Sequence, residues 1–118
     1  MDVRLDGPVT DACCASSTVQ PMAQEQAEQL AGLLRAVADP TRLRLLSLVA
    51  WSADQEACIC DLTGPVGLAQ PTVSHHMKIL VEAGLLTREQ RGRWAYYRLV
   101  EGAADAIAGA LLRPLQRA

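Results

Sequence analysis

Residues 57 to 84 constrain the fold most tightly. Gly67 supplies the permissive backbone of a turn, Gln70-Pro71 opens a helix where proline costs no backbone donor, and Gly84 closes it. A short segment from about Cys58 to Val66 precedes the turn, so the stretch reads as helix, turn, helix. In the second helix Val73, Met77, Ile79, Leu80 and Val81 supply an apolar face, while Gln70, Thr72, Ser74, His75 and Lys78 stay polar. Those polar side chains suit base edges and phosphates, which makes this helix the candidate DNA reader.

The flanks extend the pattern. Ala23 to Ala38 places Ala27, Leu30, Leu34 and Val37 on one helical face. Asp39-Pro40 breaks that helix and starts the next, Thr41 to Ser52, which carries Leu43, Leu45, Leu46, Leu48 and Val49. Residues 52 to 57 read as a polar loop. After the reader, two extended runs flank Gln90-Arg91-Gly92-Arg93, a β-hairpin with Arg91 and Arg93 at its tip, placed as a wing beside a groove or backbone. Glu101 to Gln116 is helical again, with Ile107, Ala110, Leu111 and Leu112 or Leu115 as its stripe. The expected fold is mainly α with a small β-hairpin, a winged helix-turn-helix in the order ααααββα. The apolar faces of the first and last helices point to a homodimer paired through them.

Charge distribution supports a nucleic-acid partner despite a net charge of −2. Residues 1 to 61 sum to −5, whereas residues 69 to 98, with Lys78, Arg88, Arg91, Arg93 and Arg98, sum to +3. Residues 1 to 22 read as a flexible arm carrying Cys13-Cys14, and residues 23 to 118 as the DNA-binding and dimerisation domain. No apolar run of about 18 residues offers a membrane span. The arm lacks a secretion signal, so a cytoplasmic protein with reduced thiols is expected.

The four cysteines form two pairs, Cys13-Cys14 and Cys58-x-Cys60. Thiolates select soft or borderline acceptors. Trivalent arsenic or antimony takes three thiolates; cadmium, lead or zinc takes all four. Cys-x-Cys at a helix start lies near the positive dipole end, which favours thiolate. In a continuous helix, residues two apart point about 200° from one another, so both sulfurs meet one ion only if the first turn distorts or begins after Cys58. A ligand that draws them together would then disturb the helix bracing the reader. Cys13, Cys14 and one of Cys58 or Cys60 are the favoured trio. Two rivals remain: a thiol-redox or divalent-metal sensor of the same fold, and a thiol-based metal-binding or redox protein of another class. An enzyme is not expected, because Cys-x-x-Cys and a phosphate-cradling glycine loop are both missing.

Taken together, Ala38-Asp-Pro-Thr-Arg-Leu-Arg-Leu-Leu46, Ala57-Cys-Ile-Cys-Asp-Leu62, Gln70-Pro-Thr-Val-Ser-His-His-Met-Lys-Ile-Leu80, Ala83-Gly-Leu-Leu86 and Arg91-Gly-Arg-Trp-Ala-Tyr-Tyr97 resemble the ArsR/SmtB family of metal- and metalloid-responsive repressors. The resemblance covers roughly residues 24 to 116, and Cys-Ile-Cys-Asp-Leu is similar to the cysteine signature of its arsenic-sensing branch. It implies a homodimer on palindromic double-stranded operator DNA, released when an effector binds so that resistance genes are transcribed. It also implies DNA contacts from Gln70, Thr72, Ser74, His75 and Lys78, with Ser74-His75 at base edges. His76 is a further DNA candidate whose ring can instead pack within the domain. Some relatives hold zinc with Asp and His on the last helix; here that helix offers Glu101 and Asp105 without histidine.

Overall fold

The computed structural model describes residues 21–116. Helix α1 spans Gln24–Val37 and starts with the Ala23 amide donating to Gln26 Oε1 at 3.0 Å. Asp39 ends the connection and caps α2, Pro40–Ala50, by accepting the Arg42 amide at 3.0 Å, with Pro40 in the first turn. Leu45 and Val49 on α2 are fully buried. A single 3-10 turn, Ala53–Gln55, follows, in which Asp54 and Gln55 take left-handed φ of 57° and 53°.

Where a polar loop was expected over residues 52 to 57, the chain forms strand β1, Glu56–Cys58. Three residues are too few to show an alternating period, and β1 exists because β3 offers it an edge. Helix α3 spans Ile59–Val66 and stops at Gly67, whose φ of 69° suits glycine. Arg44 Nη2 donates to the Pro65 carbonyl at 2.9 Å, tying α2 to the end of α3. Helix α4 spans Gln70–Glu82 and is followed by Gly84 with φ 84°.

Strands β2, Leu86–Arg91, and β3, Trp94–Leu99, form the hairpin, and β1 adds to it in the antiparallel order β1-β3-β2. Helix α5 spans Ala103–Leu115. The expected helices and hairpin are therefore all present, with β1 as an additional edge strand.

One core joins these pieces. Leu45, Val49, Ile59, Leu62, Val73, Met77, Leu80 and Leu86 are each at most 2% exposed, and Ala57, Ala95 and Tyr97 close it from the sheet. The aliphatic core follows from a sequence without phenylalanine. Both α3 and α4 contribute to it, so the two helices share close-packed side chains. Helix α5 has no buried residue, and Leu112 and Leu115 are exposed. Between α1 and α5 runs a groove of about 960 Å³, lined by Leu30, Leu33, Ile107 and Ala110 among others. Among the described residues, no helix is long and apolar enough to cross a membrane.

Candidate DNA-binding face and thiol pair

Helix α4 turns Val73, Met77 and Leu80 into the core, and that orientation sends the polar positions outward. Gln70, Thr72, His75 and Lys78 are exposed, while Ser74 and His76 are half-buried. The spacing of Thr72, His75 and Lys78 keeps them on one side of the helix, as a groove-inserted reader requires.

His76 has a different setting. Its Nδ1 lies 3.1 Å from Arg42 Nη1. A guanidinium only donates, so Nδ1 accepts and the ring proton sits on Nε2. Arg42 also donates through Nε to the Ala36 carbonyl and through Nη2 to the Arg35 carbonyl at 3.4 Å. One side chain thus ties the end of α1, the start of α2 and the middle of α4. The Asp39 carboxyl is held below its usual range, chiefly by the hydrogen bond from the Arg42 amide and further by the Arg42 charge.

At the wing, Arg93 is exposed beside Gly92, whose φ of 63° makes the reversal. Arg91 is engaged. It donates to Glu56 at 3.1 and 2.6 Å and to Glu89 at 3.0 and 2.7 Å, and its guanidinium carbon lies 4.4 Å from the centre of the Tyr96 ring. Hydrogen bonding from Arg91 holds the Glu56 carboxyl below the usual carboxylate range, assisted by the charges of Arg91 and Arg98, and both carboxylates raise the Arg91 guanidinium in turn.

The thiol pair sits where β1 becomes α3. Cys58 is the N-cap of α3, with extended φ and ψ of −75° and 146°, and its sulfur accepts the Cys60 amide at 3.3 Å. The helix therefore begins after Cys58, one of the two ways of bringing both sulfurs together. They are in direct contact, joined as a disulfide across a Cα–Cα separation of 5.2 Å. Cys58 is buried at 3% exposure, whereas Cys60 is open to solvent. Cys13 and Cys14 lie outside the described residues. Among the described residues, no group of three or more His, Cys, Asp or Glu side chains is placed to hold a metal. A third sulfur from the same chain can only be Cys13 or Cys14.

Sequence reasoning did not single out Arg42 or Glu56 as site residues. Arg42 follows the Asp39-Pro40 helix start and showed only as a charge on a leucine-rich helix. Glu56 lay in the expected loop, 35 residues from its partner, and only the β1–β3 pairing brings them together.

A reader helix packed on a capped preceding helix, with a three-stranded wing behind it, defines a winged helix-turn-helix DNA-binding protein. The description "Bacterial regulatory protein, arsR family" matches residues 39–88, which run from the α2 cap into β2. The chain is 39% identical to the arsenical resistance operon repressor of Staphylococcus xylosus, over 68% of this chain and 74% of that protein. It is 41% identical to the transcriptional repressor SmtB homolog of Synechocystis sp., over 70% of this chain and 62% of that one. The crystal structure of an ArsR family transcriptional regulator superposes with a TM-score of 0.65 at 30% identity, covering 77% of this chain and 89% of that one. The chain belongs to the ArsR family, and it is a DNA-binding transcriptional repressor rather than an enzyme.

Proposed function

We propose that this repressor holds a double-stranded operator as a homodimer and that trivalent arsenic, captured by cysteine thiolates, releases it. The observation that carries the reading is the convergence of the Cys58 and Cys60 sulfurs at the cap of α3, the helix packed beside the reader. Once reduced, two thiolates aimed at one point form a chelating pair for a soft acceptor. The arm, residues 1 to 22, supplies Cys13 or Cys14 as the third sulfur of an arsenic site, and both for an ion that takes four. Antimonite fits the same three-sulfur chemistry, and cadmium, lead or zinc would need all four thiolates. The relative named an arsenical resistance operon repressor favours the metalloid. The SmtB homolog keeps the divalent ions in the comparison.

Binding rests on Gln70, Thr72, Ser74, His75 and Lys78 of α4, with Arg93 at the wing. Release follows from the cap. An ion bridging Cys58 and Cys60 competes for the sulfur lone pairs that accept the Cys60 amide, so the first turn of α3 must adjust. The shared core passes that adjustment to α4. The uncovered apolar face of α5, with the groove it forms against α1, supports pairing of two chains there.

The same contact favours a second reading, in which oxidation to the Cys58–Cys60 disulfide is the releasing signal. Titrating the operator complex with arsenite and with peroxide, each with and without reductant, separates the two. Arsenite release that survives under reductant supports the metalloid. Release by peroxide alone, reversed by reductant, supports the redox signal.

A further inference from the structure

The β-ladder puts the thiol pair and the wing arginine on one surface. Cys58 is paired with Tyr96 and Glu56 with Arg98 across β1 and β3, while Glu89 is paired with Tyr96 across β2 and β3. Residues directly opposite in an antiparallel pair stand side by side on the same face, and residues two apart on one strand share it. Glu56, Cys58, Tyr96, Arg98 and Glu89 therefore share a face with Arg91. Arg91 lies over the Tyr96 ring and closes on Glu56, whose side chain is only 17% exposed, at 2.6 Å. Arg98 approaches the same Glu56 oxygen at 3.4 Å. A wing-tip cation is thus neutralised by the strand that carries Cys58.

We propose that Glu56 is a positioning residue that withholds Arg91 from DNA, and that the strand bearing Cys58 sets this hold, so the thiol site acts on the wing as well as on the reader helix. The inference deepens the reading above and rests on it. An arginine shared between two carboxylates offers a phosphate little net charge. A phosphate can recruit it only by displacing Glu56. With the arginine of the pair still open to solvent, the ion pair is weak enough that the two acceptors compete on comparable terms, and a small movement of β1 decides between them. The arrangement described here, with the sulfurs joined and Arg91 held, is the low-affinity one. When β1 moves and Glu56 lets go, Arg91 gains a phosphate contact.

The test uses the full chain with Cys58 and Cys60 joined as the disulfide and a duplex carrying its operator, with affinity measured across a sodium chloride series. Glu56→Gln keeps the shape and removes the charge. It is expected to tighten binding about fivefold near 0.1 M salt and to steepen the dependence of log affinity on log salt by about one unit, as one added phosphate contact would. Arg91→Ala and the double variant Glu56→Gln/Arg91→Ala should bind alike. Equal slopes for wild type and Glu56→Gln overturn the proposal. So does a gain from Glu56→Gln that persists without Arg91. Under reductant, where arsenite and not a disulfide joins the sulfurs, Glu56→Gln should be released by a smaller factor than wild type; an equal factor overturns the link to the thiol strand. A wild-type protein that arsenite leaves on the duplex sinks the sensor reading and that link with it, while the slope comparison still decides whether Glu56 withholds Arg91.

Discussion

The sulfur of Cys58 accepts the backbone amide of Cys60 at 3.3 Å, so the residue proposed to bind the effector is also the cap of helix α3. Sensing and helix initiation meet in one atom. The arrangement also makes a clean substitution available, because serine is a good N-cap in its own right. Cys58→Ser should keep α3 capped and melt within about 5 °C of the reduced wild type, while losing the response to arsenite. Circular dichroism melts beside an operator-release assay check both halves. A large drop in melting temperature would mean that the thiol serves the fold rather than the signal.

The two histidines of α4 should behave differently. His75 is exposed on the reader face, whereas His76 receives a hydrogen bond from Arg42. His75→Ala should weaken operator binding about tenfold or more, in the range of a lost base contact. His76→Ala should weaken it far less and lower thermal stability instead. Fluorescence anisotropy on a labelled operator, with a melt of each variant, distinguishes them.

Arg42 joins α1, α2 and α4 through one guanidinium. Arg42→Ala leaves two carbonyls and a ring nitrogen without their donor, a loss on the order of 2 kcal/mol. Urea unfolding should show the midpoint falling with an unchanged slope.

Asp39 gives the chain an acid-sensitive joint. Its folded carboxyl is held below the usual aspartate range, chiefly by the Arg42 amide at the α2 cap. The unfolded chain therefore takes up the proton first, and the carboxylate stabilises the fold above the unfolded value. That contribution fades as pH falls below about 4 and is gone below the folded value. Asp39→Asn keeps a capping oxygen and should flatten the acid limb of a stability-against-pH profile, leaving the neutral region nearly unchanged.

Much of this layout was legible in the residues because its punctuation is local. Pro40 and Pro71 in first turns, Gly67 and Gly84 after helices, and Gly92 at the hairpin each mark a boundary through their own backbone preferences. Helix geometry allows Cys58 and Cys60 to meet through a distorted first turn or a later start, and the structure starts the helix after Cys58. What was not legible depends on distant partners. Strand β1 is too short to show a period, so the pairing of Glu56 with the wing residue Arg91 could not be read from the residues. Nor could periodicity separate the roles of adjacent histidines, because the partner that occupies His76 comes from another helix.

The most direct test of the thiol mechanism is an arsenite titration of the operator complex under reductant, comparing wild type with the double variant Cys58→Ser/Cys60→Ser. Arsenite is expected to lower wild-type operator affinity about 100-fold, a coupling of roughly 2.7 kcal/mol, and to leave the double variant bound at its starting affinity. Equal release of the two proteins would contradict sensing through Cys58 and Cys60.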